Sequence, residues 1–381
     1  MRNTPLDNTE RTGYAFAFND KIKNDRFLIF IMEEFLKREK RFVNKKLNKY
    51  FNRIAQNESD SLFKDFLSEL RTFIVNEEAK RIHPILLIAA YSGIVNPMYL
   101  EDYIDEIRNV SIAVELLHSG NLIFDDLIDD DTKRRGKPTF HVQLGNQVSE
   151  TYKSLNLQSK NMEIDLYGRD LGILGGNYGY ILGLDILKSG KFPPELKLKA
   201  INEYTTASNY LIKGQIIEEY MSYQQQTMTL EQYLEIAEMQ RARMFEKSTT
   251  IGAILAKGNI HYQIKPLSKA MVKMGQAYAI RDDIADMKKD IKAKEKRFLY
   301  ILAVQKADEE QSKLNEIYRK PELSNEDIQT VERIFRERQV VKVAKQFSQN
   351  LVNQAKSSLK EIYPDLNKEQ IGFFNEFLDY I

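Results

Sequence analysis

Two short acidic runs hold the residues of this sequence whose types and spacing could do chemistry. In IFDDLIDDDTKRR, Ile123–Arg135, five carboxylates (Asp125, Asp126, Asp129, Asp130 and Asp131) fall within seven residues. On a helix Asp125 and Asp129 share a face, and like charges at that spacing repel by roughly 0.2–0.5 kcal/mol per pair. The helix must end nearby, because Lys133–Pro138 carries Gly and Pro stop signals, so these carboxylates also face the negative end of its dipole. A second run, RDDIADMKKD, places Asp282 and Asp286 four apart, with Asp290 one turn further on. The chain thus spells DDxxD twice. Oxygen ligands without His or Cys suit a hard cation, magnesium above all, which keeps several waters and shares its coordination with phosphate oxygens. An EF-hand is excluded, because the Gly and distal Glu of such a loop are missing. Two carboxylate walls facing each other could hold metal against a diphosphate and stabilise it as a leaving group, with no protein nucleophile. Nearby basic residues then read as anion clamps: Arg134 and Arg135 after the first run, and Lys80, Arg81 and His83 in EEAKRIHP.

The elements that must position these groups read as helices. Nine prolines in 381 residues, and long stretches rich in Leu, Ile, Glu, Lys and Ala, predict an all-α protein. Helical periodicity covers Asp25–Phe51, Tyr99–Ile128, Leu171–Lys188, Leu196–Tyr223, Leu230–Ala256, Leu267–Lys289, Phe298–Lys306, Asn325–Leu359 and Lys368–Ile381. No fixed-period repeat or composition break divides the chain, so residues 25–381 read as one helical domain after an irregular segment, 1–24. Polar Val148–Gly168 reads as a loop insertion. Six of the 17 glycines, at 168, 172, 175, 176, 179 and 183, recur at helical spacing and predict close helix packing. His118 precedes Asp125 by seven residues, two turns, and shares its face.

Bulk properties remove other function classes. With 56 basic and 55 acidic side chains the net charge is +1, which leaves no electrostatic footprint for nucleic acid. The absence of cysteine removes disulfides, thiolate metal sites and a Cys nucleophile, and fits a reducing, cytoplasmic setting. The opening MRNTPLDNTERTG lacks the apolar core of a signal peptide, and no apolar run approaches the roughly 18 residues of a membrane span.

The stretch from Glu115 to His141 resembles the first aspartate-rich region of the trans-type isoprenyl diphosphate synthases, the polyprenyl synthetase family. The pattern DDxxDxxxxRRGxPTxH matches at every specified position, and GQAYAIRDDIADM resembles the second such region. The resemblance implies an isoprenoid-synthase-like helical bundle around a central cavity, usually a homodimer. It also implies magnesium-dependent head-to-tail condensation of isopentenyl diphosphate with an allylic prenyl diphosphate to a linear trans-polyprenyl diphosphate. Carried over, Asp125, Asp129 and Asp282 are the catalytic carboxylates, with Asp126 and Asp286 added to the metal set. Arg134 would hold the allylic diphosphate, and Arg135, Lys80 and His118 the isopentenyl diphosphate. Arg81, His83, Gln215 and Arg241 complete the substrate-binding expectation, and Asp126 and Asp283 could also orient their neighbours.

The chain departs from the family at several of these positions. His83 stands where the family has an isopentenyl-binding Arg, Gln240-Arg241 where it has Lys-Thr, and Tyr278-Ala279 where it has Phe-Gln. The GQxxD motif reads Gly214-Gln215-Ile216-Ile217-Glu218, and the loop after the second run is shortened to Lys292–Lys296. In the family, bulky fourth and fifth residues before the first Asp limit chain growth. Here they are Asn121 and Gly120, so the expectation is an open floor and a product of twenty carbons or more, unless Leu116, Leu117 or Tyr178 closes it deeper. Two other readings remain at this point: a class I terpene synthase acting on one prenyl diphosphate, and a non-catalytic partner subunit.

Overall fold

The computed structural model describes residues 8–155, 161–224 and 227–380, with backbone alone for 8–31 and 161–162. The chain opens with α1 (Asn8–Asn57) and α2 (Ser61–Ile74), the latter capped by the Asp60 side chain accepting from Phe63 N. Then comes α3 (Ile82–Ile94), whose sequence IHPILLIAAYSGI is buried from His83 to Gly93. A helix apolar on every side must be covered on every side, and α3 accordingly lies inside the bundle. The long α4 (Pro97–Ile128) and α9 (Arg243–Leu255) pack against it, with α16 (Lys368–Tyr380) and α1 completing the cover.

After α4 the chain turns through a hairpin, β1 (Lys133–Arg134) antiparallel to β2 (Lys137–Pro138), with Arg135 at φ 51° and Gly136 at φ 73°. The helices α5 (Phe140–Ser154), α6 (Asn161–Ser189), α7 (Pro194–Tyr223) and α8 (Leu230–Ala237) follow. A five-residue π-helical turn, Glu238–Ala242, joins α8 to α9. Beyond it run α10 (Lys265–Ala285), α11 (Met287–Ala293), α12 (Phe298–Ala303), α13 (Glu309–Tyr318), α14 (Asn325–Glu337) and α15 (Val340–Leu359). The strongest pairings are α4 on α6, α3 on α9 and α10 on α15.

The all-α expectation holds, and the differences lie at element ends. Val148–Gly168 is not a loop insertion: α5 runs to Ser154 and α6 starts at Asn161, with 156–160 outside the described residues. Its polarity belongs to exposed helix surface. Of segment 1–24, residues 1–7 lie outside the described residues and the backbone from Asn8 is already helical. The single helix read over Asn325–Leu359 breaks at Gln339, which adopts φ 52°. The glycine stripe of α6 serves close packing as read. Gly176 lies against the Phe124 ring of α4, and Gly175 against Phe140 of α5.

Candidate active site

The C-terminal turn of α4 presents the first acidic run. Asp125 is partly buried, and its Oδ1 accepts from Asn121 Nδ2 at 3.2 Å, one turn back on the same face. Burial pushes its carboxyl up to about 6, against the pull of Arg241 and Arg134. Asp129 is exposed on that face and lies within the fields of Arg297, Glu218 and Lys289. Asp126, about 100° round the helix, is fully buried, and Arg134 Nε donates to its Oδ1 at 2.6 Å. Its backbone carbonyl also accepts from Asp131 N at 3.0 Å. Asp126 therefore anchors the hairpin and aims Arg134, which corrects its assignment to the metal set.

The second run closes α10. Asp282 is partly buried and Asp286 exposed, one turn apart, while Asp283 is buried. The Asp283 Oδ2 accepts from Tyr233 Oη at 2.7 Å and from Phe298 N at 3.0 Å. This carboxylate ties α10 to α8 and α12, as an orienting residue should. Burial pushes Asp290, beyond the break at Asp286, up to about 7.

Arg241 lies in the electrostatic field of both walls. Burial opposes its charge, but the carboxylates of Asp125, Asp282 and Glu218 hold its pKa above the ordinary arginine value. Its placement depends on the π-helical turn, a device concentrated at functional sites. Gly275 of α10 lets that turn approach, because a Cβ there would collide with Ala242. The turn is also tied to α7: Gln240 Nε2 donates to Gln215 Oε1 at 3.1 Å and to Glu218 Oε2 at 2.7 Å. Gln215 thus positions the turn through Gln240.

The remaining clamps gather at the start of α3. Lys80 is exposed, with Nζ 6.0 Å from the Tyr278 ring centroid, one helical turn before Asp282. His83 is buried, its ring edge-on to His118 at 4.6 Å and to Phe245 at 5.3 Å, with Nδ1 unpartnered. Burial pushes His83 down to about 4. Burial, followed by His83, Arg135, Arg134 and Arg241, holds His118 well below the usual imidazole range. Both rings are neutral at pH 7 and face cations, the electrostatics of a pocket built to receive an anion. Arg81 belongs elsewhere. Its side chain is fully buried, Nε donates to Asn44 Oδ1 at 2.8 Å, Nη1 to Glu115, and Nη2 to the carbonyls of Ile74 and Asn76 at 2.8 and 3.1 Å. Its donors are spent on protein groups, which corrects its assignment to substrate binding.

Spacing did not reveal Arg297 or Tyr233. Burial opposes the Arg297 charge while Glu218, Asp283, Glu295 and Asp290 hold it, so it shares the field of Glu218 with Arg241, yet it lies just past the shortened loop, at the cap of α12, with no motif around it. Nor is the expected opening at Gly120 free space: a Cβ there would lie 2.7 Å from Gly176 O and 2.8 Å from the Tyr180 ring. Its small size serves the crossing of α4 and α6. An apolar cavity of about 960 Å³, lined by Phe63, Phe66, Leu174, Tyr178 and Ile181 among others, lies between α2, α5 and α6 and includes no aspartate of the two acidic runs.

Among the described residues, no three acidic or imidazole groups stand close enough to enclose a metal ion by themselves. The donor set is nonetheless carboxylate throughout, on two walls, which fits a hard divalent ion completed by water and phosphate oxygens.

A family model described as polyprenyl synthetase matches residues 64–336. A short chain isoprenyl diphosphate synthase of Methanocaldococcus jannaschii is 29% identical over 264 residues, 65% of this chain and 70% of the relative. A geranylgeranyl diphosphate synthase of Sulfolobus acidocaldarius is 26% identical over 286 residues, 70% of this chain and 77% of the relative. The fold is similar to a crystal structure of geranylgeranyl pyrophosphate synthase from Corynebacterium glutamicum complexed with isoprenyl diphosphate and magnesium. That match has a TM-score of 0.78 at 19% identity and covers 90% of this chain and 98% of the other.

Proposed function

Since the chain belongs to the polyprenyl synthetase family, we propose that it is a prenyltransferase condensing isopentenyl diphosphate with an allylic prenyl diphosphate, with magnesium, to a linear trans-prenyl diphosphate. The observation that carries this reading is Arg241, whose charge is held jointly by Asp125 of the first wall and Asp282 of the second. Two DDxxD runs 157 residues apart in sequence thus act through space on one guanidinium. In the reaction the allylic carbon–oxygen bond breaks, its electron pair leaving with the diphosphate. The double bond of isopentenyl diphosphate attacks that carbon, and a proton passes to the released diphosphate.

Asp125 and Asp129 on one side, with Asp282 and Asp286 on the other, would hold magnesium, which supplies charge stabilisation to the departing diphosphate. Arg241 and Arg134 meet the allylic diphosphate, and Asp126 fixes the Arg134 fork. Lys80, Arg135, His83 and His118 receive isopentenyl diphosphate. The exposed Ile173, Leu174 and Ile181 of α6, with Ile212, Ile216 and Tyr220 of α7, support a homodimer, and the cysteine-free composition supports a cytoplasmic address.

Purified protein given magnesium, farnesyl diphosphate and labelled isopentenyl diphosphate is expected to incorporate label into a longer prenyl diphosphate, and to sediment as a dimer. Diphosphate release without incorporation would replace this reading with a terpene synthase. No turnover with either substrate set would leave the partner-subunit reading.

His83 gives the second diphosphate site a pH dependence. The imidazole is neutral at pH 7 with its pKa near 4, and an incoming anion favours the protonated ring, so binding takes up a proton. Glu115 favours that proton and Arg241 opposes it. Affinity must then fall as pH rises from about 4 toward the pKa of the occupied site. KM for isopentenyl diphosphate is expected to rise in the wild type as pH is raised above about 4. In His83→Arg it should be roughly tenfold lower at pH 8 and follow the substrate's own ionisation, as a charge-assisted hydrogen bond of about 1.5 kcal/mol implies. Identical pH profiles for the two proteins would remove His83 from the site.

A further inference from the structure

We infer that a groove between α11, α14 and α15, outside the two acidic walls, is a second binding site for a prenyl diphosphate. The inference rests on the prenyltransferase reading above, which supplies the identity of the ligand.

The groove follows from the sharp turn between α14 and α15. Gln339 adopts φ 52° there, a backbone conformation uncommon outside glycine, so the two helices form a corner rather than one continuous rod. The hollow has a volume of about 820 Å³, within the roughly 300–1,000 Å³ of small-molecule sites. Lys288 of α11, Arg336 of α14, and Lys342 and Lys345 of α15 line it, all exposed. Facing these four cations in the lining is one carboxylate, Glu332. Among the described residues none of the four forms an ion pair, whereas their neighbours do: Arg333 pairs with Glu310 and Glu337, and Arg338 with Asp308 and Glu310. The pairing pattern leaves uncompensated positive charge concentrated on the groove, where it attracts an anion.

The floor is apolar, formed by Phe335, which is 4% exposed, with Met287 and Val341. Cations around an apolar floor suit a ligand with an anionic head and a hydrocarbon tail. The Arg336 fork and the lysine point charges match diphosphate oxygens, and a prenyl chain would cover the floor and exclude water from it. Inorganic diphosphate would leave that floor wet, and a bilayer is too broad to enter such a hollow. The reaction proposed above consumes one prenyl diphosphate and makes another. Lys288 stands two residues beyond Asp286, and Met287 and Phe335 also line the small buried pocket that holds Asp283 and Arg297, so the groove borders the second wall without containing its aspartates.

The test is calorimetric titration of farnesyl diphosphate into the full chain in EDTA, which withholds metal from the acidic walls. Wild-type protein is expected to bind. Lys342→Glu with Lys345→Glu should weaken that binding at least tenfold, while Lys342→Arg with Lys345→Arg keeps it within about threefold and controls for folding. Turnover with magnesium should stay within twofold in both double variants. Equal affinity in the wild type and the charge-reversed protein overturns the inference, as does inorganic diphosphate binding as tightly as farnesyl diphosphate. Lysine-dependent binding to phosphatidylglycerol vesicles with none to farnesyl diphosphate also overturns it, in favour of a membrane surface. Incorporation of labelled isopentenyl diphosphate is measured separately and decides the prenyltransferase reading, whichever way the titration falls.

Discussion

Asp125→Asn is expected to lower kcat at least about 100-fold while leaving the thermal midpoint within a few degrees of wild type. The asymmetry follows from the state of this carboxylate at rest. Burial has pushed it up to about 6, so its ionised form is poorly supported by the protein and is kept charged mainly by Arg241 and Arg134. An amide of the same shape removes that unfavourable charge and retains an acceptor for Asn121, so the fold loses little. On the proposed assignment the chemistry loses the group that would fix positive charge opposite the leaving diphosphate, a contribution of about 10²–10³ in rate where comparable electrostatic groups are removed. Asp282→Asn should act alike from the second wall. If the walls work as a unit, the double variant will fall far short of the product of the two effects. Asp130→Asn serves as control, because that side chain is 86% exposed and its ion pair to Arg169 is long at 3.8 Å. Steady-state kinetics beside thermal denaturation measure all four proteins. Turnover of Asp125→Asn within a few fold of wild type would contradict the metal-wall assignment.

Asp283→Asn separates the two kinds of aspartate in the second run. That carboxylate accepts two hydrogen bonds while buried, so its replacement weakens the fold before it touches chemistry. The distinction between neighbours such as Asp125 and Asp126, or Asp282 and Asp283, is written in helical geometry. A step of 100° turns one carboxylate outward and the next inward, and the DDxxD spacing alone shows which pair shares a face. What the spacing does not show is the partner awaiting the inward residue. Arg134 comes to Asp126 through a hairpin whose backbone carries three positive φ values, at Asp130, Arg135 and Gly136, and Tyr233 comes to Asp283 from 50 residues away.

Arg241 illustrates a different obstacle. A period of 3.6 residues runs through Leu230–Ala256 as if one helix filled it, but the π-helical turn inserts an extra residue and rotates Gln240 and Arg241 relative to that pattern. Local periodicity is blind to such a turn, because the turn is fixed by contacts with α7 and α10. Polar composition misled in the opposite direction at Val148–Gly168, where exposed helix and loop look alike until long-range packing decides between them. Gly120 taught the same lesson at the site itself. A missing side chain signals space, and a neighbouring helix had already used it.

Arg81→Met is expected to destabilise the protein by about 3–5 kcal/mol, the cost of leaving a buried charge without its partner. Glu115 is 2% exposed, its Oε2 already lacks a hydrogen-bond partner, and Arg81 is the cation paired with its Oε1. The guanidinium also joins four segments, taking Asn44 of α1, the carbonyl of Ile74 at the end of α2, that of Asn76 in the turn after it, and Glu115 of α4. It does so from a residue whose own backbone is left-handed at φ 59°, a conformation that disfavours any side chain by about 1–2 kcal/mol. The double variant Arg81→Met with Glu115→Leu removes both charges together. It should recover most of the loss in urea unfolding, because a desolvated pair contributes little net stability beyond its isosteric replacement. Catalysis should not recover with it. Lys80 and His83 flank Arg81, and the network that fixes the turn between α2 and α3 is what holds both at the site proposed for isopentenyl diphosphate. A raised KM for that substrate, with the allylic KM unchanged, would identify Arg81 as the residue that positions the clamp without touching its ligand. An unchanged KM in a stable double variant would show that the turn keeps its shape without the network.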